Sequence, residues 1–347
     1  MFDLIICDLK MPDMDGIETI RAMANMGLRT AVAILSVEDE RVIESAGFLA
    51  KLGGLQLVGE LAKPLTPDTL EPLLKRASST AEPERPSAPT ITAHELELAL
   101  DAKALEIHYQ PMLKMRSGLC VGAEAMPRWT HPVHGLVTSD DLMPVVEHSH
   151  DLLERVTKLT LSEAIGACGR WLAAGHELGV SVNLSPKVLE QLDLPEFVEQ
   201  VTKENGVPPA RVTIEVSERT LGSDLATMID VAARLRIKGF RLSLDDYTGT
   251  QSGVAEILKL PFNELKLSRD LVVGRAASAE KRAVAQAVLS LAKNLRLTTV
   301  ATGVSARPDW NLLLEMGCDV GEGNFIAHPM PESGLGLWVT QWAMKGQ

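Results

Sequence analysis

The chain has 347 residues, 46% of them hydrophobic and 23% charged, the balance of an ordinary globular protein with room for two domains. A formal net charge of −12 argues against a nucleic acid polymer or an anionic membrane surface as main partner, since both attract basic faces; an anionic ligand must be held locally, by metal ions or a few placed cations. Four cysteines without C-x-x-C pairing give no zinc or disulfide signature, no run reaches the roughly 18 uncharged apolar residues of a membrane span, and residues 1–8 lack a signal peptide's basic flank, so a cytoplasmic protein without membrane association is expected.

In chain order, residues 2–7 read as a buried strand, 17–26 as a helix, 30–36 as a strand, 40–52 as a helix and 55–61 as a strand. That βαβαβ order predicts a parallel, doubly wound sheet with functional residues at the carboxyl ends of its strands, where Asp8, Ser36 and Lys63 fall. Residues 78–89, SSTAEPERPSAP, have linker composition, so the expected organisation is a domain over 1–77, a linker over 78–90 and a larger domain over 91–347, with the length of an α/β barrel. Strands are predicted there near 107–110, 118–128, 179–184, 211–216, 241–245, 264–267 and 298–301, with helices between them such as 152–174 and 278–295. Glu124 lies late in its strand and Asn183, Glu215, Asp245 and Asp246 close theirs; a barrel brings such ends to one face.

The string CDLKMPDMDG around Asp8, with Ser36 and with Lys63 followed by Pro64, resembles the receiver domain of response regulators. The resemblance implies Asp8 as phosphoacceptor, Ser36 as the hydroxyl that senses phosphorylation and Lys63 as the contact to the phosphoryl group, a cation suited to the charge a carboxylate nucleophile gains. In that family the acidic magnesium ligands follow the first strand, whereas this chain begins at what should be the third. A truncated, partial flavodoxin-like receiver is therefore expected, with one sheet flank lacking partners and Asp8 more readily read as a strand-end acid than as a working phosphoacceptor.

From Glu106 to Pro331 the chain resembles EAL domains, the phosphodiesterases that open cyclic di-GMP to the linear dinucleotide pGpG. The landmarks are Tyr109-Gln110-Pro111, Glu124-Ala125-Met126 in place of the name-giving triplet, Arg128-Trp129, Val182-Asn183-Leu184-Ser185, Glu215-Val216-Ser217-Glu218, Asp245-Asp246 and Lys266. Receiver followed by EAL is similar to two-component response regulators of that architecture; the cognate sensor kinase is not legible. The resemblance implies a TIM-like (β/α)8 barrel, cyclic di-GMP as ligand, Mg2+ or Mn2+ as cofactor, and a homodimer paired through the segment beyond Asp246. Glu124, Asn183, Glu215 and Asp245 would hold one ion, Asp245 and Asp246 would contribute to a second, and Lys266 would position the attacking water. Gln110 and Arg128 would contact the nucleotide, and Glu218 would brace the loop after Asp246. Hard oxygen donors suit these ions, and paired divalent ions suit phosphodiester hydrolysis.

The pattern breaks in places. The family's EGVE is Thr302-Gly303-Val304-Ser305, its DFGTG is Asp246-Tyr247-Thr248-Gly249-Thr250, its KID is Lys266-Leu267-Ser268 and its QG is Glu322-Gly323. Thr302, in the catalytic place of a glutamate, is a weaker ligand and a poor base. Glu322, at a substrate-binding position, sets a carboxylate beside an anionic ligand, which should weaken binding unless a metal compensates. Pro127 removes a backbone donor from a predicted strand. Three readings follow: a phosphodiesterase with weak or lost hydrolysis, a non-catalytic cyclic di-GMP sensor, and a protein-interaction module with an empty pocket.

Overall fold

Runs of β-branched and aliphatic residues become buried parallel strands in both halves of the chain. The computed structural model describes residues 2–28, 30–36, 40–79, 91–218, 225–249, 257–274 and 279–345. It divides into two compact units, Met1–Ala88 and Pro89–Gln347.

In the first unit β1 (Leu4–Asp8), β2 (Ala31–Ser36) and β3 (Gln56–Ala62) form a parallel sheet in the order β1-β2-β3. The sequence of β2, AVAILS, is apolar at every position but the last because a central parallel strand is covered on both faces. Its alternate residues separate accordingly: Val32 and Ile34 join Ile20, Met23 and Leu55 on one face, while Ala31 and Ala33 join Val58 and Leu73 on the other. The helix α1 (Gly16–Asn25) starts where the Asp15 carboxylate accepts from Glu18 N at 2.8 Å, satisfying one of the amides that a first turn leaves unpaired. Two further helices, α2 (Glu40–Leu52) and α3 (Pro67–Ser79), complete the unit. Among the described residues β1 pairs with β2 alone, and its Ile6 is 36% exposed.

The second unit is a closed barrel. After α4 (Ala93–Asp101) come β4 (Leu105–Lys114), β5 (Cys120–His131), the short β6 (Gly135–Val137), β7 (Gly179–Leu184), β8 (Val212–Ser217), β9 (Arg241–Tyr247), β10 (Glu264–Leu267), β11 (Thr298–Ala301), β12 (Val320–Glu322) and β13 (Met330–Pro331). The ring runs β4-β12-β11-β10-β9-β8-β7-β5 and closes through β4–β5, eight strands in all, with β6 and β13 as appendages. Seven of the eight barrel strands were legible in the sequence. The eighth, β12, is three residues long and too short for a periodic signal. β4 also departs from the all-parallel expectation, running antiparallel to β5 and to β12.

Period-two alternation sorts the barrel wall. Val182, Ile214 and Leu242 belong to the outer apolar layer with Leu161 and Ile165 of α5 (His150–Ala173), while Ser181, Thr213, Ser243 and Lys266 are buried polar residues excluded from it. Pro127 sits within β5 opposite Ile107, at a level where β7, which pairs only with residues 122–125, no longer lies alongside. A missing donor is tolerated there. All four cysteines are free; Cys7, Cys168 and Cys318 are buried.

The end of β12 is shaped by Gly323, whose φ of +144° is open to glycine and strained for other residues, and a Cβ there would lie 2.3 Å from both Val304 N and Val304 O. Gly323→Ala is therefore expected to destabilise the barrel by about 3 kcal/mol or more. Urea unfolding measures this, and a midpoint equal to the parent's would contradict it.

Candidate functional site

Polar residues on alternate barrel positions converge at the carboxyl ends of the parallel strands. Glu124 of β5, Asn183 of β7, Asp245 of β9, Lys266 of β10 and Glu322 of β12 line one cavity of about 910 Å³, together with Gln110, Arg128, Asp246 and Thr302. Glu215 of β8 is fully buried against Lys266. The Lys266 ammonium, 1% exposed, is the hub: it donates to Glu124 Oε2 at 2.7 Å, to Glu215 Oε1 and Oε2 at 3.0 and 2.9 Å, and lies 2.8 Å from Glu322 Oε1. Asn183 Nδ2 donates to the other oxygen of Glu124 at 2.7 Å.

Burial alone would drive the lysine toward neutrality, but the surrounding carboxylates of Glu124, Glu215, Glu322 and Asp245 outweigh it and hold its pKa well above the ordinary value. The carboxylates divide. Burial raises Glu215 and Glu322 well above the usual range, and Asp245 above it, because neighbouring acids add to desolvation and Lys266 offsets only part. Glu124 is pushed up by burial yet held low overall by the charge and hydrogen bond of Lys266. The group carries more negative charge than one ammonium neutralises, so it gains from binding a proton or a cation.

That excess is the first sign that these residues fit a divalent ion. The donors are carboxylate and carboxamide oxygens, the hard ligands that Mg2+ and Mn2+ favour. The second sign is Glu322 Oε2, a buried carboxyl oxygen to which no donor among the described residues points. Among the described residues no three acidic groups already surround an open point at coordination distance. Lys266 Nζ stands at the point where Glu124, Glu215 and Glu322 meet.

Around the cluster, Arg128 Nη1 donates to Ser139 Oγ at 2.8 Å and to Pro127 O at 3.0 Å, which fixes the guanidinium at the cavity wall. Gln110 Nε2 donates to Ala327 O at 3.0 Å. Asp246 adopts φ +54°, a left-handed conformation uncommon for a side-chain-bearing residue, where β9 gives way to its loop. Glu218 Oε2 accepts from Thr248 N and Oγ1, both at 2.8 Å, and Gly249 takes φ +76°. The shifted glycine thus occupies a left-handed position instead of leaving it to a bulkier residue. The expected dimer segment beyond Asp246 includes residues 250–256, outside those described. The Thr302 hydroxyl donates to Leu267 O at 2.8 Å, spending its hydrogen on the β10 backbone. Sequence alone did not single out Arg269, a second guanidinium lining the cavity, whose only signal was its place two residues past the end of β10. Nor did it indicate that Glu322 would join the lysine cluster.

In the first unit Asp8 and Lys63 meet at the strand ends, Asp8 Oδ2 to Lys63 Nζ at 2.5 Å. The lysine's hydrogen bond holds the Asp8 carboxyl below its ordinary range. Ser36 is fully buried at the end of β2, and its carbonyl accepts from Lys63 N at 3.0 Å.

The model of the EAL domain matches residues 93–329, and that of the response regulator receiver domain matches residues 1–75. Cyclic di-GMP phosphodiesterase RocR of Pseudomonas aeruginosa is 28% identical over 336 residues, 95% of this chain and 85% of RocR. The bifunctional diguanylate cyclase/cyclic di-GMP phosphodiesterase MucR of the same organism is 30% identical over 243 residues, 70% of this chain but only 35% of MucR. A solved structure titled as the PaMucR phosphodiesterase in complex with c-di-GMP superposes with a TM-score of 0.66 at 30% identity, covering 70% of this chain and 98% of that one.

Removing the hub tests the electrostatic account. Lys266→Met strands several buried carboxylates and is expected to cost about 3–5 kcal/mol of stability at neutral pH in chelator. Carboxyls whose folded pKa is raised stabilise fully below their unfolded value, 4.5 for Glu215 and Glu322, and lose that contribution as pH rises through the folded value. The deficit of Lys266→Met should therefore be small near pH 5 and grow toward pH 8; denaturant unfolding across that window reads it, and a deficit independent of pH contradicts it.

Proposed function

This chain belongs to the EAL-domain family, and from that premise we propose that it is a receiver-EAL signalling protein that binds cyclic di-GMP in the barrel cavity and hydrolyses it slowly. The reading takes residues 1–77 as the receiver, 78–90 as the linker and 91–347 as the EAL domain. Glu124, Asn183, Glu215 and Asp245 would hold a Mg2+ or Mn2+ ion, with Asp245 and Asp246 reaching a second. Such ions, when bound, supply an activated water and offset phosphate charge. Gln110 and Arg128 would orient the dinucleotide, Arg128 by charge-assisted bonds to a phosphate oxygen. Arg269 is a further cation for the same ligand. Lys266 would steady the charge that develops as the diester opens to pGpG. Asp8, in contact with Lys63, would stand at the receiver's phosphoacceptor position, and assembly as a homodimer belongs to the same reading.

The observation that carries slow turnover is at Thr302. Its hydroxyl is neutral, is committed to Leu267 O, and offers neither a base for water nor an anionic ligand. Ligand binding survives in this account because the cavity keeps Gln110, Arg128, Arg269 and Lys266.

Calorimetry with cyclic di-GMP in Mn2+ buffer should detect binding by the parent, while turnover should run roughly a thousandfold below that of an intact EAL enzyme. Thr302→Glu should raise the rate at least about tenfold without tightening binding comparably. A parent rate equal to that of intact enzymes would overturn slow hydrolysis; absence of binding would favour an interaction module.

A further inference from the structure

We propose that Glu322 is an additional anionic ligand for a divalent cation in this site, so that metal capture depends on a side chain from β12 besides the four donors named above. The inference rests on the metal-site reading and extends it to a residue that reading does not use.

Three observations carry it. Glu322 is 2% exposed, with Oε1 2.8 Å from Lys266 Nζ and Oε2 buried with no donor among the described residues. A buried carboxylate oxygen left in that condition is costly, and a cation relieves it. Second, the Glu322 and Glu124 carboxyl groups face one another within hydrogen-bonding reach, each with an oxygen on Lys266 Nζ, so two acids from separate strands converge on one point. Lys266 already meets both, along with both oxygens of Glu215, so its one charge is spread over three acids. Third, the parallel pairing of Val300 with Val320 and Ala301 with Gly321 brings Thr302 and Glu322 to the same level of adjacent strands. With the Thr302 hydroxyl engaged by Leu267 O, Glu322 is the one of these two that presents a carboxyl oxygen to the cluster. Its main chain is anchored, since Val304 N donates to Glu322 O at 2.9 Å.

The test is calorimetric titration of the full chain with Mn2+ at pH 7.5 after treatment with chelator, parent against Glu322→Gln, with circular dichroism to establish that the variant is folded. Glutamine keeps the shape and an acceptor for Lys266 and removes the charge. The affinity of Glu322→Gln for Mn2+ should fall about tenfold or more. An unchanged or tighter affinity overturns the proposal while leaving the metal-site reading intact; a parent that binds no Mn2+ overturns both. If Glu322→Gln does not fold, Glu322→Ala is held to the same outcomes.

Discussion

One buried ammonium organises the barrel mouth. Lys266 reaches from β10 to glutamates on β5, β8 and β12, so four strands that are not all neighbours are tied through a single nitrogen. Charges withdrawn from water to this degree persist only where opposite charge and hydrogen bonds surround them. The arrangement spends stability to hold acidic oxygens at short range, the trade that binding sites make. Everything else at the mouth is arranged around that point: Asn183 steers Glu124, Thr302 ties β11 to β10, and Gly323 lets the chain turn immediately after Glu322.

The surface and the pocket obey different electrostatic rules. A chain of net charge −12 repels an anion at long range. Inside the cavity Arg128 and Arg269 stand beside Lys266, and Arg128 is held by Ser139 and by the Pro127 carbonyl, fixed before any ligand arrives. Such fixing lowers the entropy lost on binding. The proline that would weaken an ordinary strand here lends its carbonyl to that arginine.

Much of this was legible in the sequence. The apolar run of β2 and the alternating apolar positions of β7, β8 and β9 declare themselves by composition and period, and Asn183, Glu215 and Asp245 near the ends of the last three mark the mouth. Three features stayed hidden for physical reasons. β12 spans three residues, less than any periodicity can resolve, and it brings Glu322 into the cluster. The direction of β4 is set by pairing across the sheet, with Leu105 opposite Trp129 and Leu113 opposite Cys120, which no local pattern encodes. The fate of Thr302 was hidden likewise, because its partner is a main-chain oxygen 35 positions away.

That reversed strand changes where the barrel receives its chain. A first stave parallel to the others would be fed from the floor, as in an ordinary α/β barrel. β4 instead starts at the level of Trp129, on the rim where Asp245 and Asp246 lie, and descends to Lys114. The helix Ala93–Asp101 therefore leads into the barrel on the ligand side, and Gln110 sits on the descending run itself. The residues that enter the barrel thus lie at the pocket's edge and not at its floor.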